Sequence, residues 1–117
     1  MCGIIGTNFL SAKFDKSLEL LHHRGPDFRN SVKINNQQFG HPRLAIIDLN
    51  EEANQPMIFD DILLVFNGEI YNYKELIHVE HLECKTSSDS EVLIRLYQKY
   101  GFDFLNKLNG MFAFCIY

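Results

Sequence analysis

The chain enters its first apolar run at its third residue. Gly3 to Phe9 (GIIGTNF) interleaves isoleucine with glycine, the pattern of a short buried strand whose backbone lies close to another element or to a ligand. A terminus of that kind is built into a sheet, so the residues before it do not wave free. They are Met1 and Cys2. Once the initiator methionine is removed, Cys2 carries a thiol and a free α-amino group on one residue, which puts a nucleophile beside its base. An α-amino group titrates at about 7.7 to 8.0, so part of it is unprotonated at neutral pH and can take the thiol proton, directly or through a water. A cysteine at position 2 can equally be inert, and Met-Cys-Gly alone does not decide.

Composition narrows the classes. With 117 residues, 46% of them hydrophobic, the chain suits one domain with a real core. The net charge is -4 and the 11 basic residues are scattered, which leaves no basic stripe for nucleic acid or an anionic membrane. No apolar run approaches the roughly 20 residues of a bilayer crossing, and no charged segment precedes an apolar one at the N-terminus. A soluble, cytoplasmic protein is expected. Cys2, Cys84 and Cys115 are odd in number and lack CxxC spacing, which argues against a disulfide framework or a zinc ribbon and for a reducing compartment.

In chain order, Ser11 can cap a helix whose apolar face is Phe14, Leu18, Leu21 and His22 and which Arg24-Gly25-Pro26 ends. Asp27 can then turn its carboxylate onto local backbone donors. Phe28 to Phe39 reads as a hairpin around Asn35-Asn36, and Leu44 to Leu49 as a strand buried on both faces. Asn50 to Gln55 is expected to be a surface loop. Met57–Phe59 and Ile62–Phe66 form a second hairpin, Asn67-Gly68 a sharp turn, and Asn72 or Tyr73 opens a short helix through His78. Ser87 to Glu91 supplies caps for a helix with Val92, Leu93, Leu96, Tyr97 and Tyr100 on one face, ended by Gly101. After an amphipathic turn, Met111 to Tyr117 is an unbroken apolar strand. This order predicts an α+β or layered α/β/β/α architecture.

Few side chains identify themselves singly. His22 and His23 point to different helix faces, and none of His22, His23 and His41 has a second histidine at i, i+4. The aspartates reveal no carboxylate pair. A turn at Asn67-Gly68 could aim a side-chain amide and a backbone N–H at one point, as a tetrahedral oxyanion requires, or be a plain turn. Arg43 could hold a carboxylate bidentately or form a surface salt bridge.

Six words in order across the whole chain resemble the class II glutamine amidotransferase domain, an N-terminal-nucleophile hydrolase fold, in its asparagine synthetase branch. They are Met1-Cys2-Gly3-Ile4, His23-Arg24-Gly25-Pro26-Asp27, His41-Pro42-Arg43-Leu44-Ala45-Ile46-Ile47-Asp48-Leu49, Asn67-Gly68-Glu69-Ile70-Tyr71-Asn72, Ser88-Asp89-Ser90-Glu91 and Asn109-Gly110-Met111-Phe112-Ala113-Phe114. The resemblance implies that Cys2 is the nucleophile, its α-amine the base, and Asn67 with Gly68 the oxyanion hole. It implies that Arg43 pairs with the α-carboxylate of glutamine, Asp89 with its α-amino group, that Glu69 helps to bind it, and that the backbone of Leu44, Ala45, Ile46 and Ile47 lines the pocket. Arg24 and Asp27 are implied as support near Cys2.

The implied reaction takes glutamine to glutamate through a γ-glutamyl thioester and passes ammonia to a second site. In the family that site belongs to a synthetase domain that uses ATP and magnesium. No Ser-Gly-Gly-x-Asp-Ser loop occurs here, so the expectation is a single amidotransferase domain over 1–117, its N-terminal part only, with no cofactor in this chain. The family's later strands are missing, so an incomplete α/β/β/α sandwich with an exposed edge is expected. Pro42 and Ala45 replace the glutamate or glycine and the serine more usual in the arginine motif. The contrasting reading is a non-catalytic module that dimerises or regulates through its open sheet, with a homo-oligomer as the consequence.

Overall fold

The computed structural model describes residues 1–117. Its elements are β1 (Ile5–Thr7), α1 (Phe14–Glu19), β2 (Phe28–Ile34), β3 (Gln37–Arg43), β4 (Met57–Phe59), β5 (Ile62–Ile70), α2 (Tyr73–Val79), α3 (Asp89–Tyr100) and β6 (Gly110–Ile116), with 3-10 stretches at His22–Arg24, Glu51–Ala53 and Gly101–Lys107. The strands make two antiparallel three-stranded sheets, ordered β1-β3-β2 and β4-β5-β6. The fold is α+β.

Both hairpins turn where short polar residues tolerate a positive φ: Asn35 at 53° between β2 and β3, and Asp60 at 53° between β4 and β5. Strand β5 explains its own apolar run, because successive side chains leave a strand on opposite faces. Leu63 and Val65 meet Phe39 of β3, whereas Leu64, Phe66 and Ile70 meet Val92, Leu93, Ile94 and Leu96 of α3. Each aliphatic side chain so buried contributes about 1.5 to 3 kcal/mol, which makes the β5–α3 contact the main core. On the far side of the first sheet, Leu18 of α1 fits over Gly40, where an added Cβ would come within 3.0 Å of Leu18 and of Ile5.

Helix α3 starts and stops as its sequence predicts. The Ser88 side chain accepts from Ser90 N–H at 3.1 Å, and Gly101 ends the helix at a φ of 55°. Glu91 departs from a simple capping box. Its buried carboxylate accepts from the N–H groups of Lys85 and Thr86 and from Arg95. Burial pushes its pKa up, but those donors outweigh it and hold the group below the usual carboxylate range.

Five expectations are corrected. Leu44 to Leu49 is not a buried strand: β3 ends at Arg43, and Ile46 and Leu49 are 69% and 76% exposed. Its β-branched run lacks a neighbouring strand and lies as an irregular segment. Asn67-Gly68 is not a turn, because β5 runs through it to Ile70 with Asn67 opposite Ala113 and Gly68 opposite Phe112. Asn50 to Gln55 is only partly a surface loop, since it coils into a 3-10 turn that buries Ala53 and Gln55. The helix placed after Ser11 is shorter, spanning Phe14–Glu19, and the chain tightens into 3-10 geometry before Gly25. Asp27 reaches a distant donor, the N–H of Ala45 at 2.8 Å. No helix is long and apolar enough to cross a membrane.

Candidate active site

The N-terminus is pinned along the end of β3. Gly3 N–H donates to the Pro42 carbonyl at 3.1 Å, and the Cys2 thiol sits against the backbone of Leu44. Sγ accepts from Leu44 N–H at 3.3 Å and faces the Leu44 carbonyl at 3.6 Å. The segment His23 to Asp27 wraps the same place: Arg24 Nε donates to the Cys2 carbonyl at 3.3 Å and Asp27 N–H to the Arg43 carbonyl at 3.0 Å. Glycine is required at 25, because a Cβ there would collide with the Pro42 carbonyl. Half-buried Cys2 is thus held by backbone on both sides. Met1, which precedes it, is 52% exposed.

A narrow cleft of about 70 Å³ opens beside the thiol, and Cys2, Arg43, Leu44, Ile46, Ile47, Gly68, Glu69 and Asp89 line it. These come from four separate stretches of sequence. Ala45 and Asn67 do not line it: Ala45 is turned to Asp27, and the buried Oδ1 of Asn67 has no hydrogen-bond partner. Residues not singled out from the sequence also line the cleft, among them Gln55, Phe66 and Ser90.

The parity of β5 decides what Gly68 offers. Leu63 exchanges hydrogen bonds with Tyr117 and Tyr71 N–H donates to Asn109, so odd-numbered residues of this stretch turn their peptide groups towards β6. Even-numbered residues turn theirs to the other edge. There Ile62 and Leu64 stand opposite β4, Phe66 N–H is taken by Gln55 Oε1 at 2.6 Å, and Ile70 N–H by Asp89 Oδ2 at 3.0 Å. Gly68 N–H points to this same edge, between those two side chains, where the cleft lies.

Charge in the cleft is divided. Arg43 is nearly buried, and its four terminal N–H hydrogens face the carbonyls of Ile47, Asp48 and Asn50 and the side-chain oxygen of Asn54. It staples the 47–54 segment and lends that wall a positive charge. Opposite, burial raises the pKa of Asp89, helped by the charge of Glu69. Asp48 locks the same segment to the start of α3 by accepting from Ser87 N–H at 2.7 Å; the Asn50 backbone N–H leads the bonds that hold its carboxyl below the usual range. No three His, Cys, Asp or Glu side chains converge as a metal site would require. Of the histidines, only His41 is buried; it joins the sheets through Nε2–H, which donates to the Phe66 carbonyl at 3.0 Å.

Comparison with known proteins shows the family. The glutamine amidotransferase domain model matches residues 1–117. A putative glutamine-hydrolysing asparagine synthetase 2 of Methanocaldococcus jannaschii is 39% identical over 100% of this chain and 28% of its own length. Asparagine synthetase B of Escherichia coli is 39% identical over 100% and 23%, and the amidase chyE of Penicillium rubens 39% identical over 95% and 17%. The chain therefore spans 28% or less of the length of these relatives. It belongs to the glutamine amidotransferase domain family and corresponds to the N-terminal portion of glutamine-hydrolysing asparagine synthetases.

Proposed function

We propose that this chain is the glutaminase part of an asparagine synthetase-like enzyme and that its cleft hydrolyses glutamine once Met1 is removed. The free α-amine of Cys2 takes the thiol proton, and the thiolate attacks the side-chain carbonyl carbon of glutamine. The resulting oxyanion is met by Gly68 N–H and, after its side chain turns inward, by the Asn67 amide. The side-chain nitrogen leaves as ammonia with the proton returned from the amine, which leaves a γ-glutamyl thioester. Water, deprotonated by the same amine, cleaves the thioester to glutamate and frees the thiol.

Leu44 N–H, 3.3 Å from Sγ, holds the sulfur at the mouth of the cleft. Arg43 supplies positive charge for the α-carboxylate, and Asp89 and Glu69 receive the α-ammonium. Ammonia passes to a carboxylate-activating partner domain; ATP and magnesium act there and not in this chain. The order in which α1, the first sheet, the second sheet and α3 pack supports the layered N-terminal-nucleophile architecture.

The observation that carries this reading is the convergence of Cys2, the free Gly68 N–H and two charge signs on one cleft. The test is release of glutamate and ammonia from glutamine by chain with Met1 demonstrably absent, and labelling of Cys2 by diazo-oxo-norleucine. Loss of both in Cys2→Ser is expected. No labelling of a verified free Cys2 would refute the proposal.

A further inference from the structure

We infer that His41 and Gln55 are positioning residues that set the Gly68 N–H by gripping the backbone N–H and carbonyl of Phe66, two residues before it. The inference rests on the glutaminase reading for its consequence in rate, but its geometry is independent of that reading.

An inner strand edge is ordinarily held by a neighbouring strand, and such a neighbour would consume the Gly68 N–H. Here β4 begins only at Met57, opposite Leu64, and covers β5 only from Ile62 to Leu64. The edge from Phe66 to Ile70 has no strand beside it, and side chains take the place of the missing ladder. Gln55 Oε1 accepts the Phe66 N–H at 2.6 Å, and His41 Nε2 donates to the Phe66 carbonyl at 3.0 Å. Both side chains are buried, at 4% and 0% exposure, so water does not compete for either bond. Beyond Gly68, Asp89 takes Ile70 N–H. The one peptide N–H on this edge left for a ligand is flanked by two that are held.

The grip is also tied to the rest of the cleft. Gln55 Nε2 donates to Ser90 Oγ at 3.0 Å, and Ser90 adjoins Asp89. His41 lies on β3 two residues before Arg43 and three before Leu44, whose N–H faces the thiol. One residue, Phe66, therefore fixes the distance from the thiol wall to the oxyanion donor. A strand rises about 3.3 Å per residue, so the gripped residue is roughly 7 Å from the donor residue, and a misplacement of about 1 Å at a reacting centre can lower the rate about 100-fold.

The test compares chain of natural sequence, with Met1 removed, to His41→Asn, His41→Gln, Gln55→Met and Ser90→Ala. A glutamine amide reaches the place of the imidazole Nε2–H, whereas an asparagine amide reaches only that of Nδ1. Expected are a fall in kcat of about 10- to 100-fold in His41→Asn and Gln55→Met with KM for glutamine within about twofold, and recovery to within about threefold in His41→Gln. Inhibition by the aldehyde analogue of glutamine, which forms a tetrahedral thiohemiacetal on Cys2, should weaken by the same factor as kcat.

Equal loss in His41→Asn and His41→Gln, or a rise in KM at unchanged kcat, would overturn the inference. Should a core variant unfold, Ser90→Ala, which releases the far end of Gln55, must show the same split in smaller measure. If the unsubstituted chain is itself inactive, the glutaminase reading fails, and the Gly68 amide resonance decides the positioning role. It must shift in His41→Asn and Gln55→Met and stay in place in His41→Gln; a resonance indifferent to all three refutes it.

Discussion

Acidification should weaken the junction between the two sheets through one residue. His41 is fully buried and spans from β3 to the Phe66 carbonyl on β5. Burial, reinforced by the charge of Arg43 and only partly offset by the Phe66 carbonyl, lowers its pKa from 6.5 to about 4. The folded protein therefore holds His41 neutral where the unfolded chain would protonate it. A base with a lowered folded pKa contributes its full stability above 6.5, and that contribution is lost as the pH falls from 6.5 towards 4. At about 1.4 kcal/mol per pH unit this amounts to roughly 3 kcal/mol, a large share of the 5 to 15 kcal/mol typical of a domain. Urea denaturation of the unsubstituted chain and of His41→Gln at pH 7, 5.5 and 4 isolates the effect, because the carboxylates common to both cancel. The unsubstituted chain should lose about 3 kcal/mol more than the variant by pH 4. Parallel losses would show that His41 is not the group whose neutrality the fold requires.

Three further outcomes are expected. Asp89→Asn keeps an acceptor for Ile70 N–H but removes the charge, so the fold should persist while KM for glutamine rises at least about 10-fold. Since burial and Glu69 raise the Asp89 pKa, the folded state binds that proton more tightly than the unfolded chain. Stability from this group is lost as pH rises above its ordinary value of 3.8, and the variant should be more stable at pH 7 by urea denaturation. Gly68→Ala would drive a Cβ into the Met111 carbonyl and to 2.7 Å from Phe112 Cα; separation of β5 from β6, seen as lost amide protection on both strands, is expected. Arg43→Lys replaces a fork that meets four oxygens of the 47–54 segment with one ammonium. Faster amide exchange in that segment and a KM increase of about 10-fold or more are expected, and unchanged exchange would show that the staple is unimportant.

Much of this protein is legible before folding because it is written in local physics. Asn35 and Asp60 mark the hairpins through their tolerance of positive φ, Ser88 and Gly101 bound α3, and the apolar face of α3 announces the core it fills. Cys2 is a candidate from sequence because a thiol and an amine on one residue need no tertiary partner, and the other five words give it a context. The misreadings fall where a neighbour decides. Leu44 to Leu49 has strand-type side chains but no strand to pair with. Asn67-Gly68 has turn-type residues but is held extended by β6, whose seven-residue register overrides their preference.

The sequence by itself determined the family, through six ordered words, and the α+β class, through the alternation of strand-type and helix-type periodicity. Those signals live within a few residues and survive in an unfolded chain. Only the tertiary structure decided that β4 covers β5 only from Ile62 to Leu64, that His41 and Gln55 close on Phe66 from 25 and 11 residues away, and that Gly68 is left with an unclaimed N–H facing the cleft. A backbone N–H is the same group at every non-proline residue. Whether it is spent on a neighbour or free for an oxyanion depends on which strand lies alongside, and that is a property of the packed molecule.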